Sequence, residues 1–400
     1  MLQVSVSPAD SSPASADKPL RIAFLDLPGW DLHVLSPDTA PLGGSQSAAC
    51  YLARALAAQG HSVFFASGVS APGRYAGVEC IPLNSLTQGA LGALQLDACV
   101  CLLMGGFGVR LRQMLDPAVR LVLWTQHASD QPAVGNLRDS AERDAYDGVA
   151  LVSDWQSACF QAAFGISPQR IAILRNAVAP AFLGLFPQAA PILHYKTTPP
   201  VLAYTSTPFR GLELLLEAFG RIGAAVPGTT LRVYSDMRTY RIAPDEDQSE
   251  FGAVYEKCRQ TPGVEYVGSI AQGELAQALR EVSLLAYPNI FPETSCIAVM
   301  EAMAAGCRIV TSRYAALPET TGGFADLVDL PVTENGRLRR EEYVQRFVDA
   351  VVGALHQMRS QPGVVEAHLR NQVDFVNEAY TWPLRARQWA DWLRRLPRRG

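Results

Sequence analysis

The chain has 400 residues, 48% of them hydrophobic and 18% charged, with a formal net charge of −4. That length suits two domains of about 170–190 residues each. The charge balance offers no basic footprint for nucleic acid, and no run approaches the ~18 apolar residues of a membrane span.

The opening "MLQVSVSPADSSPASADKPL" is rich in Ser, Pro and Ala and has no apolar centre, so residues 1–18 read as a disordered leader rather than a secretory signal. From "LRIAFLDLP" onward, short β-rich runs alternate with helical patterns. The spacing predicts strands over 20–26, 62–66, 97–103, 120–125, 147–152 and 170–174, with Ala-rich helices such as 45–58 and 153–164 between them. Alternation of this kind argues for a parallel sheet covered on both faces. The eight cysteines are scattered. Cys99 and Cys101, in "DACVCLL", suit a packed strand better than a metal, and no Cys-x-x-Cys or His-x-x-x-His pair supports zinc. A cytoplasmic chain with reduced thiols is expected.

The pattern breaks at "LFPQAAPILHYKTTPP", which reads as a linker. A second series follows, with strands near 201–205, 231–235, 263–267, 282–288 and 307–311 and helices at 210–225, 272–280 and 294–305. The tail from 341 is helical, and "WPLRARQWADWLRRL" is amphipathic. The expected division is a leader to 18, an α/β domain over 19–185, a linker over 186–200, a second α/β domain over 201–378, and a C-terminal helix over 379–400 that crosses back to the first domain. Two such halves imply a cleft, and ligands of parallel sheets bind outside the carboxyl ends of the strands.

Four stretches place chemistry at those ends. In "PLGGSQSAACYLARALAAQGHSVFFA", Gly43 and Gly44 precede a helix, where open backbone amides and the helix dipole favour an anion. The alternative is a plain glycine turn. Neither a Rossmann fingerprint nor a Walker A loop is present. In "LVLWTQHASDQ", His127 follows a strand by two residues and could donate to a sugar hydroxyl or phosphate oxygen, unless it is an ordinary surface histidine. In "YTSTPFRGLELLLEAF", Arg210 opens a helix, and its guanidinium fork suits a diphosphate. A solvated arginine is the bland alternative.

The last stretch is "FPETSCIAVMEAMAAGCRIV". Glu301 lies about two turns into an apolar helix, where an unpaired carboxylate costs several kcal/mol. Either an internal cation or the hydroxyls of a bound polyol must satisfy it. Glu293 stands just before that helix, about 12 Å of helical rise earlier, so the two carboxylates would reach different parts of one elongated ligand.

Taken together, these residues resemble the family-4 retaining glycosyltransferases of the GT-B fold. The elements come in that family's order: "GGSQSAACYLARALAAQGHSV", His127, "VSDWQSACFQAAFGISPQRIAILRNAV", "FRGLELLLEAF", "VGSI" and "ETSCIAVMEAMAAG" followed by "LPE". The resemblance covers nearly the whole chain after residue 19 and implies two Rossmann-like α/β domains facing across a cleft. It further implies transfer of a sugar from a nucleoside diphosphate donor with retention at the anomeric carbon, and no metal or other cofactor. Carried over residue by residue, Glu301 would accept from the donor's ribose hydroxyls and Glu293 from the sugar's hydroxyls. Thr294 and Ser295 would complete the donor site, Gly43 and Gly44 would offer amides to phosphate, Arg210 would neutralise the diphosphate, and His127 would touch the transferring sugar.

The departures from that pattern fall in the donor site. Ser206 and Thr207 stand where the family commonly has an Arg, Arg210 replaces its Lys, "YSDM" replaces a Gly-x-Gly, and Ser295 and Ala177 replace glycines. Arg238 is the nearest candidate for a second cation. These changes keep two alternatives open, a GT-B-type nucleotide-sugar epimerase and a non-catalytic nucleotide-sugar-binding partner subunit. A metal-dependent enzyme is less consistent, because the nearest acidic triplet, in "PDEDQ" at 244–248, follows a proline in an apparent loop. The acceptor (a glycan, a lipid-linked molecule or a small molecule) would meet loops 27–42 and 128–140. The basic ending "WLRRLPRRG" could touch anionic lipid, making the protein peripheral to the membrane, or simply be solvated. Neither the acceptor nor the oligomeric state is legible in the sequence.

Overall fold

A computed structural model describes residues 18–399; the expected leader, up to residue 17, lies outside the described residues. Two sheets organise the chain. The first has eight strands: β1 (Arg21–Asp26), β2 (Ser62–Ser67), β3 (Gly73–Tyr75), β4 (Val78–Pro82), β5 (Ala98–Leu102), β6 (Arg120–Trp124), β7 (Gly148–Leu151) and β8 (Ile171–Ile173). Their spatial order is β3-β4-β2-β1-β5-β6-β7-β8, parallel except for the β3–β4 hairpin at one edge. The second has six parallel strands: β9 (Val201–Tyr204), β10 (Thr230–Val233), β11 (Val264–Tyr266), β12 (Leu284–Tyr287), β13 (Arg308–Ser312) and β14 (Ala325–Val328). Its order is β11-β10-β9-β12-β13-β14.

Both faces of the first sheet are buried, which is why its strands read as continuous apolar runs. Ala23, Leu25, Cys99, Cys101, Leu121 and Leu123 pack with Leu111, Leu137, Tyr146 and Phe160 on one side. On the other side Ile22, Phe24, Phe65, Val100 and Trp124 meet the helix Gly44–Ala58 and the last helix, Trp382–Arg395. Trp389 of that last helix lies edge-on to Trp124 at 4.9 Å between ring centroids and 6.5 Å from Phe24. Arg120 of β6 donates to the carbonyl of Leu396 at 2.8 Å. The helix that ends the chain is thus held on the first sheet by aromatic packing and a guanidinium.

The basic ending is engaged with the protein: Arg398 pairs with Asp97 at 2.9 Å and Arg399 with Asp147 at 2.6 Å. The Pro-rich stretch before β9 is also packed, since Phe186 and Ile192 bury against Val365, Leu369 and Val373 of the helix Pro362–Ala379. All eight cysteines are free thiols, and Cys99 and Cys101 are fully buried. No helix among the described residues is long and apolar enough to cross a membrane.

Three elements differ from the expected ones. "PDEDQ" is not a loop but the first turn of a 17-residue helix, Pro244–Gln260, with Asp245, Glu246 and Asp247 at its dipole's positive end. Arg210 ends a 3₁₀ turn, Pro208–Arg210, and the helix proper runs Leu212–Ala225. The helix expected over 294–305 begins only at Ile297 and ends at Ala304. Glu293 is therefore four residues outside that helix, so neither the dipole nor a helical rise relates it to Glu301.

Candidate functional site

The carboxyl ends of β9, β10 and β12 open toward the start of the Gly44–Ala58 helix, and a cavity lies between them. Gly43, Gly44, Arg210, Glu293, Thr294, Ser295 and Glu301 all line it. These residues come from three separate stretches of sequence, and the fold brings them together. Gly43 and Gly44 lie close against the second half. A Cβ on Gly44 would lie 3.2 Å from Ile297 Cδ1, and one on Gly43 would lie 3.2 Å from the Thr239 carbonyl. Any side chain here would push between the two halves. Gly211 has a different reason: at φ +133° a Cβ would collide with the Pro288 carbonyl, so only glycine lets the Arg210 turn lie against the loop after β12.

Glu301 is 4% exposed and has no ion pair among the described residues. Its internal-cation alternative is thereby overturned. Burial pushes its carboxyl up to about 8, against which the Gln272 side-chain hydrogen bond acts weakly. In the empty site near neutral pH the group is therefore mostly protonated.

The cation expected to satisfy a carboxylate here belongs to Glu293 instead. Arg210 Nη1 lies 2.5 Å from Glu293 Oε1, and Tyr287 donates its hydroxyl to the same oxygen at 2.6 Å. The other end of the guanidinium donates to Tyr240 at 3.0 Å, and its plane lies 4.4 Å from the Phe291 ring centroid. Glu293 and Arg210 therefore neutralise one another in a half-dry setting. Tyr287 and Tyr240 were missed in the sequence, because they stand 6 and 30 residues from the partners they touch.

Arg238, the candidate for a second cation, is engaged with two residues that line the cavity. Its Nε donates to Asp236 at 2.8 Å and its Nη2 to the Ser269 carbonyl at 2.9 Å, and it is not among the lining residues.

His127 is half-buried and also absent from the lining, whereas its neighbour Gln126 is present. Thr294 crosses to the Gln126 carbonyl at 2.7 Å, which ties the two halves at this point. His127 Nδ1 lies 3.2 Å from the Leu103 carbonyl, an atom that can only accept, so the proton is assigned to Nδ1. Burial holds the imidazole below its ordinary value and keeps it neutral. With that tautomer, Nε2 is an acceptor rather than a donor. A second tie between the halves lies further out: Glu319 accepts from the amides of Asp154 and Trp155 at 3.0 and 2.9 Å and pairs with Arg175 at 2.6 Å. It caps the helix Asp154–Phe164 from the opposite sheet.

Residues 199–357 match the family model described as glycosyl transferases group 1. No curated protein matches the chain. Solved structures match over nearly its full length. WaaG, a glycosyltransferase involved in lipopolysaccharide biosynthesis, is 17% identical with a TM-score of 0.63, covering 93% of this chain and 99% of its own. Sucrose-phosphate synthase from Thermosynechococcus elongatus is 17% identical with a TM-score of 0.66, covering 94% and 98%. HepE from Anabaena, solved with UDP and glucose, is 16% identical with a TM-score of 0.64, covering 94% and 99%. The fold is GT-B: two α/β units built on parallel sheets. The family model matches the second unit, and the cavity described above opens on the matched residues.

Proposed function

We propose that this protein transfers a sugar from a nucleoside diphosphate sugar to a hydroxyl acceptor, with retention at the anomeric carbon and without a metal. One observation carries the reading: a buried carboxylic acid, Glu301, without an internal cation, facing a cleft that also gathers Arg210, Glu293 and two helix-start glycines. A nucleotide's ribose hydroxyls would supply the donors that Glu301 lacks. HepE was solved with UDP and glucose, so UDP-sugars are the first donors to test.

In this reading the reaction is a front-face substitution. The diphosphate leaves while its own oxygen takes the proton of the acceptor hydroxyl, and no separate base is required. Arg210 stabilises the leaving oxygens, with Tyr240 and Phe291 holding its plane. Glu293 Oε1 accepts from Arg210 and Tyr287 and the carboxylate also meets the Cys296 thiol, so its remaining acceptor capacity would serve a sugar hydroxyl. His127 accepts from another through Nε2.

Nucleotide sugars should first be screened by thermal stabilisation, since a ligand of the native state raises its apparent stability. The best donor is then incubated with simple glycoside acceptors in EDTA, and the product's anomeric configuration is read by NMR. A retained configuration with undiminished turnover in chelator supports the proposal. Inversion, or rescue only by added divalent cation, refutes it. The pairing of Arg210 with Glu293 also favours a second reading, a nucleotide-sugar-binding partner without turnover. Tight donor binding with no transfer to any acceptor would select it, whereas an epimerised sugar formed without acceptor would select an epimerase.

A further inference from the structure

The cavity is poor in free positive charge for a site meant to hold a diphosphate. Its lining contains one cation, Arg210, against three carboxyl groups, Asp236, Glu293 and Glu301. Arg210 is spent on Glu293, and the nearby Arg238 is spent on Asp236. Burial removes Glu301's charge but adds no positive one. What the lining does contain is a set of buried polar atoms without a partner among the described residues. Six of them belong to this cavity: the hydroxyls of Thr205, Thr207, Ser235 and Ser295, Nε of Arg210, and Oε1 of Gln272.

Polar groups so placed are normally satisfied, and a cluster of exceptions on one cavity calls for a ligand. Their chemistry also divides. Gln272 Oε1 can only accept, and it stands beside Glu301, so that end requires donors such as ribose or base N–H and O–H groups. The hydroxyls and the guanidinium Nε can donate, so their end requires acceptors. Thr207 shows this most plainly. It occupies the cap position of the 3₁₀ turn Pro208–Arg210, yet its side chain caps nothing and its hydroxyl remains free.

We propose that Thr205, Thr207 and Ser295 bind the donor's phosphate oxygens as neutral hydroxyl donors, taking over the part of a second cation. The proposal rests on the nucleotide reading of the cavity and names which side chains serve its phosphate end. Two consequences separate it from recognition by net charge. Binding through hydroxyls and one already paired guanidinium is short-ranged, so affinity for the nucleotide depends little on ionic strength. These hydroxyls have no protein partner among the described residues, so replacing them with isosteric apolar groups breaks no internal hydrogen bond and should leave stability equal or higher while affinity falls.

The test uses the full chain and titration calorimetry. UDP, GDP and ADP are each compared with their parent nucleosides at 50 and 500 mM NaCl, and the tightest pair is carried forward. The wild type is expected to prefer the diphosphate over the nucleoside at least tenfold, with less than a threefold loss across that salt range. The Thr205→Val/Ser295→Ala double variant should lose at least tenfold in diphosphate affinity. It should bind the nucleoside unchanged and melt no lower than wild type when empty; Thr207→Val alone should follow the same pattern more weakly. Unchanged diphosphate affinity in the double variant overturns the proposal, as does a wild-type loss above tenfold with salt, while leaving the nucleotide reading intact. Failure of the wild type to bind any diphosphate or nucleoside refutes both.

Discussion

Replacing Glu301 with Gln should stabilise the empty protein at alkaline pH. A glutamate carboxyl ordinarily titrates near 4.5, and burial moves this one to about 8. Between those values the native state holds a proton that the unfolded chain has released, so stability falls as pH rises. The loss begins near pH 4.5 and is complete somewhat above pH 8. Fully expressed it amounts to roughly 5 kcal/mol, of which about 3 kcal/mol is already lost at pH 7 and a further ~1.4 kcal/mol between pH 7 and 9. Glutamine keeps the shape and a hydrogen bond with Gln272 but cannot ionise. Chemical denaturation of wild type and Glu301→Gln at pH 5, 7 and 9 measures the difference directly. The gap between the two proteins should widen in the variant's favour by about 1–2 kcal/mol from pH 7 to 9. Parallel pH profiles would mean that Glu301 ionises freely or is already satisfied within the fold, and the reasoning from its burial would fail.

Transfer activity should be abolished in Glu293→Ala and in Glu301→Ala, as read by product formation from the best donor; undiminished turnover in either would refute the site. Arg210→Ala should cost about 3–5 kcal/mol in denaturation experiments, because it strands Glu293 without its cation. Arg210→Met combined with Glu293→Gln should recover much of that stability without recovering nucleotide affinity. Nucleoside diphosphate binding at pH 7 should release a proton as Glu301 becomes a carboxylate facing ribose, seen as a calorimetric heat that varies with the buffer's ionisation enthalpy. Trp389→Ala should destabilise the protein by about 3–5 kcal/mol, since it removes a fully buried indole between Phe24 and Trp124.

The interior strands and the Glu301 helix were legible because parallel strands buried on both faces leave unbroken apolar runs. The edge strands β8 and β11 were legible too, but β3, β4 and β14 were not. β3 and β4 are short, half-exposed and built around a tight turn in "GRYAGVECIP", and β14 is only half-buried. The Pro244–Gln260 helix was read as a loop from its acidic start, although Pro followed by three acids is what the positive end of a helix dipole tolerates best. For the site, residue types at strand ends located the cavity, but partner assignment did not follow. Which carboxylate holds Arg210 depends on a contact between residues 83 apart, and no local pattern encodes it. His127 shows the same limit: its position was readable, but its protonation depends on the Leu103 carbonyl of another strand end. Gln272 gave no signal at all, because a glutamine opening an exposed helix looks like any polar surface residue.

The most direct measurement is a crystal structure of the protein bound to UDP, or to GDP or ADP if one of these binds more tightly. The ribose hydroxyls should lie within hydrogen-bond distance of Glu301, with the phosphates against Arg210, Thr205 and Thr207. A nucleotide seated elsewhere, or Glu301 turned from the cleft toward a protein cation, would contradict the central claim that a bound polyol completes this buried acid.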